Sequence, residues 1–190
     1  QQVAEATEAF EGFEYALALQ ATEGDFWAFC DDYVELVKRR SYEAEDTAGR
    51  RSAMATLYLA LRTFLRLFAP FLPYATEETW SWFERGSVHT AAWPVPGELS
   101  GLAGADADAE LLALVGQALV GVRGAKTAAK ASQKTPVELA VVHAPAALAE
   151  RLRLAAGDLA AVGRIAELRI EPADVAEVAV AEIRLAASEA

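Results

Sequence analysis

The sequence predicts a mainly α-helical fold: an antiparallel helical bundle over residues 1–98, a linker at 99–108 and a small α+β unit over 109–190. Three observations carry that prediction. Two long segments, one over 25–40 and one ending at Phe68, repeat apolar side chains at three- and four-residue steps, the spacing of a single helix face. Pro70 and Pro73 then stop the second segment, because proline lacks an amide hydrogen and restricts the residue before it. Beyond a small, polar, glycine-containing stretch at 100–108, the pattern changes to short β-branched runs beside helix-like ones.

Residues 1–22 read as a helix in which Val3, Ala6, Phe10, Phe13 and Leu17 line one face. Glu5, Glu8, Glu11 and Glu14 line the other; such a row is a solvated face and turns phosphates away. Gly24 breaks the run, and Asp25 is a good N-cap for the next helix. There Phe26, Cys30, Tyr33 and Val37 share a face, flanked by Trp27 and Val34 on one side and Phe29 and Leu36 on the other. The following helix carries Leu57, Leu61, Phe64, Leu65 and Phe68 at helical spacing. These two apolar faces are expected to pack on each other as the core of the bundle.

Pro73 fits the first turn of a helix over 74–84 that turns Trp80 and Phe83 inward. Residues 86–97 are expected to run as an extended strand, with Trp93-Pro94 pinned against the bundle. In the second unit, Leu111, Val115, Ala118 and Val122 set the register of a helix over 110–131. A strand at 137–142, a helix at 145–159 and strands at 162–170 and 175–185 complete it, the tail being equally compatible with helix.

The totals narrow the function. The chain has 190 residues, 54% of them apolar, and a formal charge of −11, which argues against an indiscriminate nucleic-acid binder. A single cysteine excludes an internal disulfide and a cysteine-rich zinc site, and it suits a reducing cytoplasm. No apolar run approaches the roughly 18 residues of a membrane span. The chain has no initiator Met and starts inside a helical pattern, so it reads as a piece of a longer protein. Phosphate-cradling glycine loops, nucleophile elbows and metal-ligand spacings are absent from the sequence. Cys30 lies on an apolar face, and Glu77 and Glu78 point about 100° apart on a helix, so neither is expected to be catalytic. His89 has no ligand partner nearby in sequence.

Basic residues are the remaining signal. Lys38, Arg39 and Arg40 close their helix, where cations complement the dipole. Arg50 and Arg51 open the next one, where the dipole disfavours them, so they need either ion pairs with Glu43, Glu45 and Asp46 or an anionic ligand. No acid interrupts residues 50–66. Arg123, Lys126, Lys130 and Lys134 fall within about an 80° arc, as a solvated stripe or as phosphate contacts.

FCDDYVELVKRR at 29–40, RRSAMATLYLALRTFLRLFAPFLPYATEETW at 50–80 and SVHTAAWP at 87–94 resemble the anticodon-binding domain of class I aminoacyl-tRNA synthetases, the valyl members above all. The resemblance covers 1–94 well and 121–142 more weakly. It implies that the bundle receives the anticodon stem-loop of a tRNA. The catalytic domain of the same parent chain, with its ATP and magnesium, would lie elsewhere. The expected partners are tRNA and that catalytic domain, with no cofactor, metal, catalytic residue or membrane contact in this chain. Lys38, Arg39, Arg40, Arg50 and Arg51 are the candidate backbone contacts, with Arg123, Lys126 and Lys130 as a second group. Trp27 is the candidate stacking surface if it is exposed, the other reading being a core position.

KASQK at 130–134 is superficially similar to the ATP-binding Lys-Met-Ser-Lys-Ser loop of these synthetases. Its second position is alanine, its last is displaced, and no Rossmann pattern surrounds it, so the likeness is rejected. Valyl members typically continue into a coiled-coil arm, whereas an α+β unit rich in Ala, Val and Leu stands here. Isoleucyl members share the bundle and a Ser-Val-His, and they are the alternative assignment; Asp31-Asp32-Tyr33 followed by Glu-Leu-Val-Lys favours valyl. A helical protein-interaction scaffold with merely solvated basic stripes is the alternative of a different kind.

Overall fold

The computed structural model describes residues 2–98, 108 and 110–186. The chain divides into two compact units, Gln1–Val34 with Ser41–Ala107 and Glu35–Arg40 with Asp108–Ala190. The expected linker at 99–108 lies outside the described residues apart from Asp108. The helices are α1 (Gln2–Glu11), α2 (Tyr15–Ala28), α3 (Glu35–Ser41), α4 (Ala48–Phe68), α5 (Pro73–Ser81), α6 (Leu111–Ala128), α7 (Ala146–Arg153) and α8 (Ala156–Gly163). A π-helical turn, Phe29–Val34, precedes α3. The mainly helical class with a small α+β unit is as the sequence predicts.

In the first unit the break falls at 12–14 and not at Gly24. Phe13 adopts a left-handed conformation (φ 61°), and the Gly12, Phe13 and Glu14 amides cap the carbonyls of Glu8, Phe10 and Ala9. Phe13 and Leu17, expected to face inward, are exposed in consequence. Gly24 lies inside α2, where glycine costs only about 1 kcal/mol, so Asp25 is not an N-cap. The expected pairing of aromatic faces does form: Phe26 meets Phe64 and Phe68 edge-on at 5.3 and 5.4 Å, and Phe29 meets Phe64 at 5.7 Å. Pro73 starts α5, and Trp80 is buried with Leu65, Ala69 and Val88.

The expected strand over 86–97 is replaced by two 3₁₀ turns, Val88–Thr90 and Pro96–Glu98. Local side chains supply the hydrogen bonds a strand partner would have given. Glu77 accepts from the Ser87 hydroxyl and the Val88 amide, and Ser87 Oγ accepts from the His89 amide. Trp93 is pinned as expected, its indole donating to Thr7 Oγ1 at 2.9 Å and its ring meeting Phe10 at 5.1 Å.

The second unit is a three-stranded sheet, β1 (Val137–Ala144), β2 (Ile165–Pro172) and β3 (Ala179–Leu185), in the order β2-β1-β3. β1 runs parallel to β2 and antiparallel to β3. Residues 145–159, expected as one helix, fall into α7 and the start of α8; at the junction the Leu154 and Ala155 amides turn back on the carbonyls of Arg151 and Leu152. β2 starts later than expected because α8 persists to Gly163 and Arg164 caps it in the left-handed region. The tail resolves as strand through Leu185. The core joins Leu114, Val115 and Ala118 of α6 to Val142, Leu152, Leu159 and Ile170, and Leu36 of α3 is buried in it.

Candidate nucleic-acid interface

In the first unit, Trp27 is 59% exposed, packed edge-on against Phe26 at 5.3 Å. Phe26 takes the inward position on this turn of α2, which leaves the indole on the surface. Thr47, not noted from the sequence, is the N-cap of α4: its Oγ1 accepts from the Arg50 amide at 3.0 Å and donates to Glu43 at 2.8 Å. That places Arg50 and Arg51 in the first turn of the helix. Arg51 is paired with Asp46 at 3.0 Å, both groups well exposed, so screening leaves the pair little weight. Arg50 is half-buried, and its Nε has no hydrogen-bond partner among the described residues.

The acid-free run at 50–66 is less of an island in three dimensions than in sequence. Arg62 pairs with Glu84 and Glu98 at 3.1 and 3.0 Å. Arg66, almost wholly buried, grips both oxygens of Glu98 and also donates to the carbonyls of Arg62 and Ala92. The Arg66 hydrogen bonds, aided by its charge and that of Arg62, hold the Glu98 carboxyl below the usual carboxylate range against the opposing effect of burial. These two arginines fasten the 3₁₀ segment to α4; of the other two in the run, Arg51 is exposed and Arg50 half-buried.

Lys38, Arg39 and Arg40 belong with the second unit. Lys38 pairs with Glu35 at 3.0 Å, and Arg40 Nε stands 3.1 Å from the Asp158 carboxylate. Arg39 is exposed. On α6 and the turn after it, Arg123 and Lys130 are exposed, but Lys126 is only 2% exposed and leaves the stripe. Its ammonium donates to the carbonyls of Gly163 at 2.9 Å and Gln133 at 3.1 Å, and burial, with Arg164 nearby, lowers its pKa. Lys126 is therefore a tie between α6 and the end of α8.

Arg164 is hidden in the sequence by a run that reads as strand, whereas it caps α8. The preceding Gly163, a frequent helix-end residue, was the available signal. Among the described residues, no set of three or more His, Cys, Asp or Glu side chains is placed to hold a metal ion, and no helix is long and apolar enough to cross a membrane.

Residues 1–141 match the family model described as the anticodon-binding domain of tRNA ligase. The valine–tRNA ligase of Leifsonia xyli subsp. xyli is 52% identical over 183 residues, which cover 96% of this chain and 21% of that protein. The valine–tRNA ligase of Cutibacterium acnes is 47% identical over 168 residues (87% and 19%), and that of Thermobifida fusca 46% over 187 residues (98% and 21%). The chain thus spans about a fifth of the length of the curated relatives it matches. With the match running from the first helix through α6 into β1, the chain belongs to the family of anticodon-binding domains of tRNA ligases.

Proposed function

We propose that this chain is the part of a valine–tRNA ligase that receives the anticodon stem-loop of its tRNA. The observation that carries the reading is the family match over 1–141 together with relatives named valine–tRNA ligase at 42–52% identity. The catalytic body, with ATP and magnesium, belongs to the rest of a cytoplasmic parent chain. Unpaired loop bases are read by stacking on aromatic or guanidinium planes, while Lys and Arg hold the backbone. An exposed Trp27 and the half-buried Arg50 offer those two kinds of contact in the first unit.

The test is a titration of the chain with unmodified valine and isoleucine tRNAs and their anticodon-swapped versions, at low and moderate salt. A preference that follows the valine anticodon, with affinity falling as salt rises, is the expected result. A preference that follows the isoleucine anticodon would move the assignment to that synthetase. Binding blind to the anticodon would refute the proposal, and no binding at low salt would favour a protein-interaction scaffold.

A further inference from the structure

In the second unit, Lys38 and Arg39 of α3 and Arg164 at the end of α8 line one open groove of about 400 Å³, together with Glu35, Ala161 and Val162. Three cations from two elements converge there in a chain whose formal charge is −11. The acids nearby are already engaged: Glu35 with Lys38 at 3.0 Å, and Asp158 of α8 with Arg40 at 3.1 Å.

The groove is built on fixed backbone. Leu36 and Val37 are buried, Leu36 within the core of the same unit, so the turn of α3 carrying Lys38 and Arg39 is anchored from beneath. Arg164 is anchored on three sides. Its carbonyl accepts from the Val137 amide at 2.8 Å, its Nη1 donates to the Lys134 carbonyl at 3.2 Å, and Lys126 ties the adjacent Gly163 to Gln133. One donor of the guanidinium is thus used in holding the corner, while the others remain for a ligand. Arg164 also sits at φ 55°, a conformation that favours glycine or asparagine, and strained backbone of this kind concentrates at functional sites. Lys130, on the turn held by the same ties, is left-handed too, at φ 54°.

We propose that this groove is a clamp for an RNA backbone phosphate, adding affinity without reading sequence. Two guanidinium groups around a shallow opening, beside a Lys38 ammonium shared with Glu35, match a phosphodiester, whose oxygens accept charge-assisted hydrogen bonds. The choice of RNA rests on the proposed tRNA binding, but the contact is independent of the anticodon.

The test uses two probes, the valine tRNA and a 12-base-pair RNA duplex that has no anticodon. They are titrated against the 190-residue chain and its Arg39→Gln and Arg164→Asn variants, with circular dichroism and melting curves as controls. Asparagine tolerates the left-handed backbone, so Arg164→Asn removes the charge without adding strain. Each variant is expected to weaken both probes about tenfold at low salt and to lower the salt slope by about one. Anticodon preference is expected to stay unchanged. Unaltered affinity and slope in folded variants, or no duplex binding by the parent chain, would overturn the clamp even where anticodon preference persists. Duplex binding that the variants weaken, without anticodon preference, would leave the clamp standing and remove the anticodon reading. Polyglutamate binding that the variants abolish while RNA binding is untouched would overturn the clamp in favour of an acidic protein.

Discussion

Glu98 shows how one carboxylate fastens a segment that carries only two short 3₁₀ turns. Both its oxygens are held by Arg66, one also by Arg62, and its ordinary carboxylate pKa of 4.5 is lowered chiefly by the Arg66 hydrogen bonds. A group whose folded pKa is depressed contributes stability that is present above its unfolded value and lost as pH falls through the folded one. The first unit is therefore expected to lose stability as pH drops below about 4.5, the unfolded value. Glu98→Gln should lower the urea midpoint at pH 7 and flatten its dependence between pH 5 and 3; a variant with the parental pH profile would refute the role. Lys126 teaches the same lesson from the opposite charge. Its spacing fits a basic stripe, yet its ammonium is buried on two carbonyls, because the turn after α6 folds back over it. Spacing places a residue on a helix face, but which faces stay wet depends on what packs there.

At the scale of elements, helix ends proved harder to read than helix faces. The aromatic faces of α2 and α4 meet as their periodicity predicts, since apolar spacing is a direct consequence of helix geometry. The start of α4 rests on Thr47, whose hydroxyl satisfies an amide that the first turn leaves free. Thr47→Ala is expected to cost about 1 kcal/mol in equilibrium unfolding. An unchanged urea midpoint would show that Glu43 or water takes over the cap. The break near the N-terminus is hidden in the sequence because Gly24 has the residue type of a terminator, whereas the actual terminator is Phe13, a residue that seldom turns left-handed. The strand expected at 86–97 failed for a related reason: side chains of Glu77 and Ser87 satisfy its backbone locally, a competition that sequence pattern does not reveal.

At the scale of the whole molecule, the two units interrupt each other in sequence. Glu35–Arg40 lies within the first half of the chain but clusters with the residues from Asp108 onward, and Leu36 joins the core formed by α6, α7, α8 and the sheet. Leu36→Ala is therefore expected to destabilise the second unit by about 2–5 kcal/mol. Hydrogen exchange is the measurement that checks it. Amides of β1 should exchange faster in the variant while those of α5 keep their parental rates, and the reverse pattern would show that Leu36 serves the first unit.

The sequence by itself determined the helical class, the two long apolar faces, the proline-bounded turn and the family, because these follow from periodicity, backbone chemistry and motif, all of them local. Tertiary structure alone decided where the cations end up. Arg62 and Arg66 are fastened to acids 22 to 36 residues away, Lys126 is drawn inside, and Arg164 is brought beside Lys38 and Arg39 across more than a hundred residues. Charge acts through space, and one sequence does not record which distant partners will lie within its reach.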